Sequence, residues 1–579
     1  MPFEKNLNQE RIKLNDSIWE NNRLRYITAM VLYLVMSSAN LLLSIISQEI
    51  IDVAAGMGSR TELESIAIKI ILVIIALLPV GFLYSAVREK FVAKAMRQYK
   101  DCVTEGIMKK GIGVFRNEST ALYTSGLTND CQVIEQNFLS ARFEMAMMIF
   151  LFIGSFVIMI KYSVILTFVA IVFSLIPIVV SIKTGKKLGP LEEKTSQKNQ
   201  SFVGIIQETL TGFSVIKSFK AELKILKLIA EENKNLENVK KKRNYTRNSV
   251  FVLGTVAGIT TQLGVFIVGA ILCLYGKGIT PGMLMVFVNL LNFIVQPIGE
   301  LPSLVANFMA SKKLISKMEY ALSNDAYDNT SDSNDNMICE HNYGIKLENV
   351  SYSYDDGKCV LRDFGFYFEK DKSYAIVGAS GCGKSTLLQL LLAGMNNYTG
   401  EILYDDKELS MISSESLYDI VSTIQQNVFV FNASIKDNIT MFGDFMKEEI
   451  DRVVELSGLS ELVDQKGEDY MCGENGCGLS GGEKQRISIA RALLRKSKVL
   501  LVDEATSSLD TKTSSMVISA ILGLENMTRI IVTHDLDEGS LKKFDKILTL
   551  KNGSVLEAGS FNELMDKKGY FYSLYTVSQ

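Results

Sequence analysis

The sequence predicts two halves: an all-α unit of six membrane-spanning helices, then an α/β unit built on a largely parallel sheet. Three observations carry this. Six apolar runs precede residue 310, at Leu24–Ile46, Ile66–Val87, Phe143–Ile160, Ser163–Ile182, Phe251–Leu274 and Met283–Ile298. Most approach the ~20 residues needed to cross a bilayer, and the last continues helically through Leu301, Leu304 and Val305. Beyond residue 345 no such run occurs. Short β-rich runs such as YAIVG and KVLLVD alternate there with helical segments, the pattern of an α/β fold. Between the halves, Ser323–Asn336 is rich in Asn, Asp and Ser and poor in apolar residues, as a linker is. The expected domains are 1–322, spanning the membrane, a linker at 323–344, and the α/β unit at 345–579.

Each span follows from hydropathy, and charge orients the set. The first 23 residues are polar, carry Lys5, Arg11, Lys13 and Arg23, and show no small-residue cleavage site, so no secretory signal is expected. Their charge places the N-terminus in the cytoplasm. The connections after spans two and four are long and basic, with Arg88, Lys90, Lys94, Arg97 and Lys100, then Lys183, Lys186, Lys187 and Lys240–Arg243. The opposite connections are short. Both termini and the α/β half are therefore expected on the cytoplasmic side of a multi-pass cell-membrane protein. The two long connections are themselves helix-like, with arms of about 25 residues reaching roughly 37 Å. At their turns, Ala121–Asp130 and Gln207–Glu222 mix glycine and small polar residues with apolar ones, as surfaces for docking would.

Composition excludes some functions. A net charge of −3 and a pI near 5.8 give no electrostatic reason to expect nucleic acid as a partner. Eight cysteines and two histidines are too scattered for a Cys/His zinc site, and Cys472 and Cys477 have no answering pair at ligand spacing. On the spans, Asn289, Asn292, Gln296, Glu300, Ser303 and Asn307 recur at three and four, as do Ser37, Asn40, Ser44 and Ser47. Such stripes either line a polar path or bond helices together. Gly254 and Gly258 read as a packing face.

The α/β half carries the chemistry. In YAIVGASGCGKSTLLQLLL an apolar strand ends at Val377, a glycine-rich loop follows, and Lys384 opens an apolar helix. This is the phosphate-loop pattern in its strand–loop–helix setting, which makes the half a P-loop NTPase fold. Gly378, Ala379, Ser380, Gly381, Cys382, Gly383, Lys384, Ser385 and Thr386 are its candidate nucleotide-binding residues. The backbone N–H groups cradle phosphate, Lys384 neutralises it, and the Ser385 hydroxyl can ligate Mg²⁺. Cys382, near that positive charge, is expected to be a reactive thiol or a bystander. KVLLVDEATSSLD ends a buried strand in two carboxylates, at the strand end where α/β sheets bind ligands. Asp503 is placed for Mg²⁺ and Glu504 for activating water; adjacent strand residues face opposite ways, so the two can divide the work. His534 also follows an apolar strand, within reach of a γ-phosphate. A second anion site is predicted in LSGGEKQRISIARALL, where Ser480 caps a helix whose first turn holds Gly481 and Gly482.

A phosphate loop, then LSGGE, then LLVDEATSSLD, then a histidine resembles the nucleotide-binding domain of ATP-binding cassette (ABC) transporters. The six preceding spans resemble the exporter-type half-transporters of that family. The resemblance covers nearly the whole chain. It implies ATP and Mg²⁺ as cofactors, ATP hydrolysis coupled to transport, and a homodimer or a heterodimer with a second half-transporter. It places Tyr354 against adenine, Gln426 near Mg²⁺, and Ser480, Gly481, Gly482 and Glu483 on the ATP held by the other subunit. Gly473–Gly476 is similar to the stretch preceding the signature in exporters, and Ser508-Leu509-Asp510 to the loop that crosses to the partner. Glu504, His534 and Lys384 are the expected catalytic residues, and Ser385, Gln426 and Asp503 the expected metal-site residues. The implied function is export of a small molecule, drug, peptide or lipid by alternating access. The alternative is an exporter-fold importer of a metal chelate or similar solute.

Overall fold

Long apolar runs with few helix breakers make the described part of the first half helical. The computed structural model describes residues 14–116, 118–185, 188–323, 341–354, 357–395, 397–504 and 511–578. These form two units, one from residues 14–107 and 121–323, the other from residues 108–120 and the chain from 341 onward.

The first unit begins with a short helix α1 (Leu14–Trp19), followed by α2 (Arg23–Asp52) and α3 (Arg60–Met108). Helix α4 (Ile112–Arg116) belongs to the other unit. Helices α5 (Thr120–Leu127), α6 (Asn129–Ile134), α7 (Ala141–Tyr162) and α8 (Val164–Gly185) come next. The unit ends with α9 (Leu188–Thr211), α10 (Phe213–Ser218), α11 (Glu222–Leu274) and α12 (Pro281–Ser323). Five helical stretches are long and apolar enough to cross a membrane, and the described part of α8 adds a shorter one, Val164–Val179. All six expected runs thus lie on helices. With 49 residues, α3 reaches roughly 73 Å, well past its apolar run.

Helix α12 supplies the centre of this unit: Val286, Phe287, Leu290 and Leu291 are buried among Leu151, Leu166 and Val265. On α11 the glycines that permit close approach include Gly264, where a Cβ would stand 2.5 Å from Phe173, and Gly269, where one would strike Leu284. Gly254 faces open space and Gly258 meets only Val295 at ordinary distance, so the expected packing face lies further along α11. Near the end of α2 the Asp52 carboxylate accepts from the Gly282 amide at 2.8 Å and the Thr280 hydroxyl at 2.9 Å, which ties it to the start of α12. The polar stripes divide. Ser37, Ser44 and Ser47 return their hydroxyls to carbonyls of their own helix, four residues back. On α12, Asn292, Gln296, Glu300, Ser303 and Asn307 are exposed. Within that stripe Gln262 of α11 donates to Asn292 at 2.5 Å.

The second unit has two sheets. Strands β1 (Gly344–Ser353), β2 (Cys359–Glu369), β4 (Thr399–Tyr404) and β5 (Lys407–Glu408) form an antiparallel sheet of order β2-β1-β4-β5. The larger sheet takes β3 (Ser373–Gly378), β6 (Val421–Ile424), β7 (Val499–Asp503), β8 (Thr528–Val532), β9 (Lys546–Lys551) and β10 (Ser554–Gly559), in the order β10-β9-β3-β8-β7-β6. All its pairings are parallel except β9 with β10. Its centre is buried on both faces, as parallel sheets require. Tyr374, Ile376, Val499 and Leu501 face the core shared with the antiparallel sheet. Ala375, Val377, Leu500 and Val502 face the core on the other side. Helix α13 (Lys384–Leu391) packs in the first core, and α18 (Gly481–Arg495) in the second. Between them run α14 (Ser414–Ile420), α15 (Ile435–Thr440), α16 (Lys447–Leu456) and α17 (Ser460–Lys466).

Residues 108–120 differ from expectation, since the docking turn was placed at Ala121–Asp130. The glycine of that stretch, Gly126, is a packing position where a Cβ would strike Met318, not a turn. The turn lies earlier, around α4. There Ile112 N donates to the Tyr418 hydroxyl at 3.0 Å and Arg116 to Gln389 at 3.2 Å. The ammonium of Lys110, fully enclosed, bonds both carboxylate oxygens of Glu118 at 2.8 and 3.0 Å and closes the loop.

His341 is buried where this unit begins, its Nε2 at 2.7 Å from the Thr528 hydroxyl, and burial holds its pKa below the ordinary histidine value. The unfolded chain therefore binds this proton more readily than the fold does. The contribution is complete above about pH 6.5 and is lost as pH falls towards the depressed value. Thermal melting of the full chain at about pH 7.5 and 5.5 should show a drop that His341→Gln reduces.

Candidate functional site

Parallel strands that end at one edge deliver their following residues to one place. The order β3-β8-β7-β6 brings the phosphate loop, His534, the Asp503-Glu504 pair and Gln426 side by side. The loop between β3 and α13 needs its glycines. Gly383 has φ +104°, and a Cβ there would stand 2.8 Å from Leu361; Gly381 has φ +78°. Ala379, Ser380 and Gly381 form an exposed rim, while Gly383, Lys384 and Thr386 are buried. The Lys384 ammonium donates to the carbonyls of Gly378 at 2.9 Å and Ala379 at 3.2 Å, at the centre of the curl. Cys382 points inward, and burial pushes its thiol pKa up despite Lys384. A reactive thiolate is thus disfavoured, and Cys382 belongs to the core.

The two carboxylates meet different partners. Asp503 continues the strand towards α13, where Ser385 Oγ donates to its Oδ1 at 3.1 Å. Burial raises its pKa, and the Glu504 charge adds to this, against the Ser385 bond. Glu504 leaves the strand with φ +51°, a left-handed backbone that non-glycine residues adopt at a cost. Its carboxylate is gripped from two sides: Gln426 Nε2 donates at 2.8 Å, and His534 Nε2 lies 2.7 Å from the other oxygen. Tyr354, just past β1, is partly exposed, and its hydroxyl lies 3.2 Å from that of Thr386, so the ring stands beside the start of α13.

Mg²⁺ fits this donor set. Ser385 and Asp503 offer adjacent oxygens, the hard donors this ion takes, one or two at a time, with nucleotide phosphates completing the shell. Among the described residues no cluster of three His, Cys, Asp or Glu side chains forms a self-sufficient metal cage.

The candidate second anion site lies at the start of α18. Ser480 caps α18 in a reciprocal box: its hydroxyl accepts from Glu483 N at 3.3 Å, and Glu483 accepts from Ser480 N at 2.6 Å. The Glu483 carboxylate closes this cap, and the amides of Gly481 and Gly482 open the helix, where intrahelical partners are lacking. Among the described residues, no hydrogen bond or ion pair joins Ser480–Glu483 to the phosphate loop. The stretch at Gly473–Gly476 forms a tight turn bonded to α18 through Lys484 and the Asn475 carbonyl at 2.8 Å. Ser508–Asp510 lies outside the described residues. Sequence reasoning passed over Gln485, which donates to the Glu504 carbonyl at 3.2 Å.

Family models match both halves of the chain. One described as "ABC transporter" matches residues 361–507, and one described as "ABC transporter transmembrane region" matches residues 26–298. A Staphylococcus aureus ATP-binding/permease protein, its name assigning it provisionally to multidrug export, is 31% identical over 67% of this chain and 68% of its own. The chain belongs to the ABC transporter family. This transporter is also 26% identical to an ATP-dependent lipid A-core flippase of Photorhabdus laumondii, over 96% of both chains. Its fold matches a bacterial Atm1-family ABC exporter solved with ATP bound, at a TM-score of 0.83, 22% identity and coverage of 96% of this chain and 98% of that one. It is a multi-pass membrane transporter of exporter type that binds ATP and couples its hydrolysis to transport, and such half-transporters act as dimers.

Glu504→Gln should bind ATP normally yet lose about a hundredfold or more in turnover, because water loses its acceptor while the phosphate loop is untouched. Lys384→Ala should instead weaken nucleotide binding. Filter binding and phosphate release on purified protein separate the two outcomes.

Proposed function

We propose that two copies of this chain form a homodimer that exports a cytoplasmic solute, with ATP sandwiched between the phosphate loop of one copy and the Ser480–Gly482 helix end of the other. The single observation that carries this is the separation, within one chain, of two anion-binding ends. The loop residues 378–386 hold the phosphates, Tyr354 stacks on adenine, and Ser385 and Asp503, with Gln426 nearby, hold Mg²⁺. That ion, when bound, screens phosphate charge. Glu504 takes the proton of the attacking water, and His534 and Gln426 aim its carboxylate. Each site then needs both chains, so nucleotide binding draws the two α/β units together and hydrolysis lets them part.

The loop around α4 and the turn at α10 carry this motion to the spans, in a membrane unit of residues 1–322 joined through 323–344 to a cytoplasmic unit of residues 345–579. Support for the second turn is its exposed apolar surface, formed by Phe213, Val215 and Phe219. The exposed stripe on α12 lines the solute path. Polar groups on a spanning helix are costly against lipid and suit a water-filled cavity. The names of the relatives put drugs and lipids first among solutes. An exporter loads inside-out vesicles with solute on ATP addition, whereas an importer of a metal chelate would leave them empty.

The shared site has a direct test. Copies carrying Lys384→Ala or Ser480→Arg should each fail to occlude ATP as homodimers, since every sandwich has one broken face. A mixed dimer places both lesions in one sandwich and leaves the other whole. Labelled ATP should then be trapped at one site per mixed dimer in a Glu504→Gln background. If Ser480 served its own chain's nucleotide, no trapping would return.

A further inference from the structure

Gln485 sits on the second turn of α18 and is only 2% exposed. Its side-chain amide donates to the backbone carbonyl of Glu504 at 3.2 Å. That carbonyl belongs to the residue with φ +51° whose amide is bonded to Val532 O at 3.2 Å. The Glu504 backbone is thus pinned from β8 on one side and from α18 on the other. A second cross-link leaves the same helix: Arg491 donates to Phe429 O at 2.7 Å and to Asn438 Oδ1 at 2.8 Å. Phe429 lies three residues past Gln426, which grips the Glu504 carboxylate. One rigid helix therefore holds both the backbone of the water-activating carboxylate and the loop of one of its two donors. The first turn of that helix carries Ser480, Gly481 and Gly482.

We infer that Gln485 is a positioning residue through which α18 reports ATP contact at its first turn to Glu504 of the same chain. The inference rests on the shared-site reading, because only then does the helix end touch a different ATP from the one Glu504 serves. Each copy consequently reads the occupancy of one site and adjusts hydrolysis at the other. A small rotation of α18 suffices, since a left-handed residue has a narrow basin and its carboxylate direction follows its backbone. The link is short, one turn from cap to Gln485. It makes hydrolysis cooperative without any contact between the two nucleotides.

The test uses full-length dimers in lipid nanodiscs, assembled from two differently tagged copies. Gln485→Met keeps the length and removes the donor. In both copies it should leave trapped ATP unchanged in a Glu504→Gln background, which also shows that the fold survives. With Glu504 intact it should lower turnover about tenfold and bring the Hill coefficient for ATP to about one. A fall in turnover with unaltered cooperativity would overturn the reporting role. The side of action is then resolved in mixed dimers. When Gln485→Met and Glu504→Gln share a copy, the remaining site uses the other copy's Glu504 and should run as fast as with Glu504→Gln alone. When they lie in opposite copies, the remaining site should slow about tenfold. Slowing only when the two share a copy would mean that Gln485 acts on the partner's ATP, equal slowing in both arrangements would mean an effect common to both sites, and either result overturns the inference. Ser480→Arg placed on the Glu504→Gln copy should stop the remaining site in the same assay. If it does not, the shared-site reading fails by itself, whatever Gln485 does. Gln485→Asn, with a donor one methylene short, should give an intermediate loss of cooperativity if Gln485→Met does not assemble.

Discussion

The left-handed backbone at Glu504 is the constraint on which the α/β unit depends. It ends β7 abruptly, so that Asp503 stays with the strand and meets Ser385 while Glu504 swings to the opposite side and meets Gln426 and His534. Two neighbouring acids on a regular strand would point apart with no common edge to serve. The turn keeps both at the mouth of the sheet. Its conformational cost, of order 1–3 kcal/mol, is met by fixed bonds on every polar group of the residue. The amide goes to β8, the carbonyl to α18, and the carboxylate to the residues after β6 and β8. Parallel order in the sheet makes this possible, because only parallel neighbours end together.

Much of this was legible in the sequence. Phosphate chemistry needs backbone amides at fixed intervals, so glycines and a lysine at set spacing declare the loop, and membrane spans declare themselves because hydrocarbon tolerates no substitute for apolar length. The signal for Gln485 was weaker but present: a polar residue four before Ile489, on the helix face that also carries Leu493. Other expectations failed for a shared reason. Glycine has several uses, and the one-dimensional pattern does not say which. Gly126 admits Met318 and does not make a turn, so the docking loop was placed too late. Gly254 and Gly258 looked like a contact face, yet Gly264 and Gly269 are where helices touch. Cys382 looked activated beside Lys384, but the curl of the loop turns it inward, and burial outweighs the nearby charge.

The ammonium of Lys110 is enclosed and bonds both carboxylate oxygens of Glu118. Such an enclosed pair loses more when one partner is removed than it contributes while intact, so it acts as a fastener for the loop around α4.

The tie from Asp52 to Gly282 and Thr280 has a mechanical consequence for α12. It fixes one extremity of that helix to α2 by carboxylate bonds. Further along, Pro297 and Pro302 each remove a rung of the backbone ladder, freeing the carbonyls of Phe293 and Ile298. A rod clamped at one end and softened at a defined height flexes at that height. Any bending of α12 is therefore concentrated beside Gln296 and Glu300, and the polar stripe changes shape there while its tethered end keeps its place.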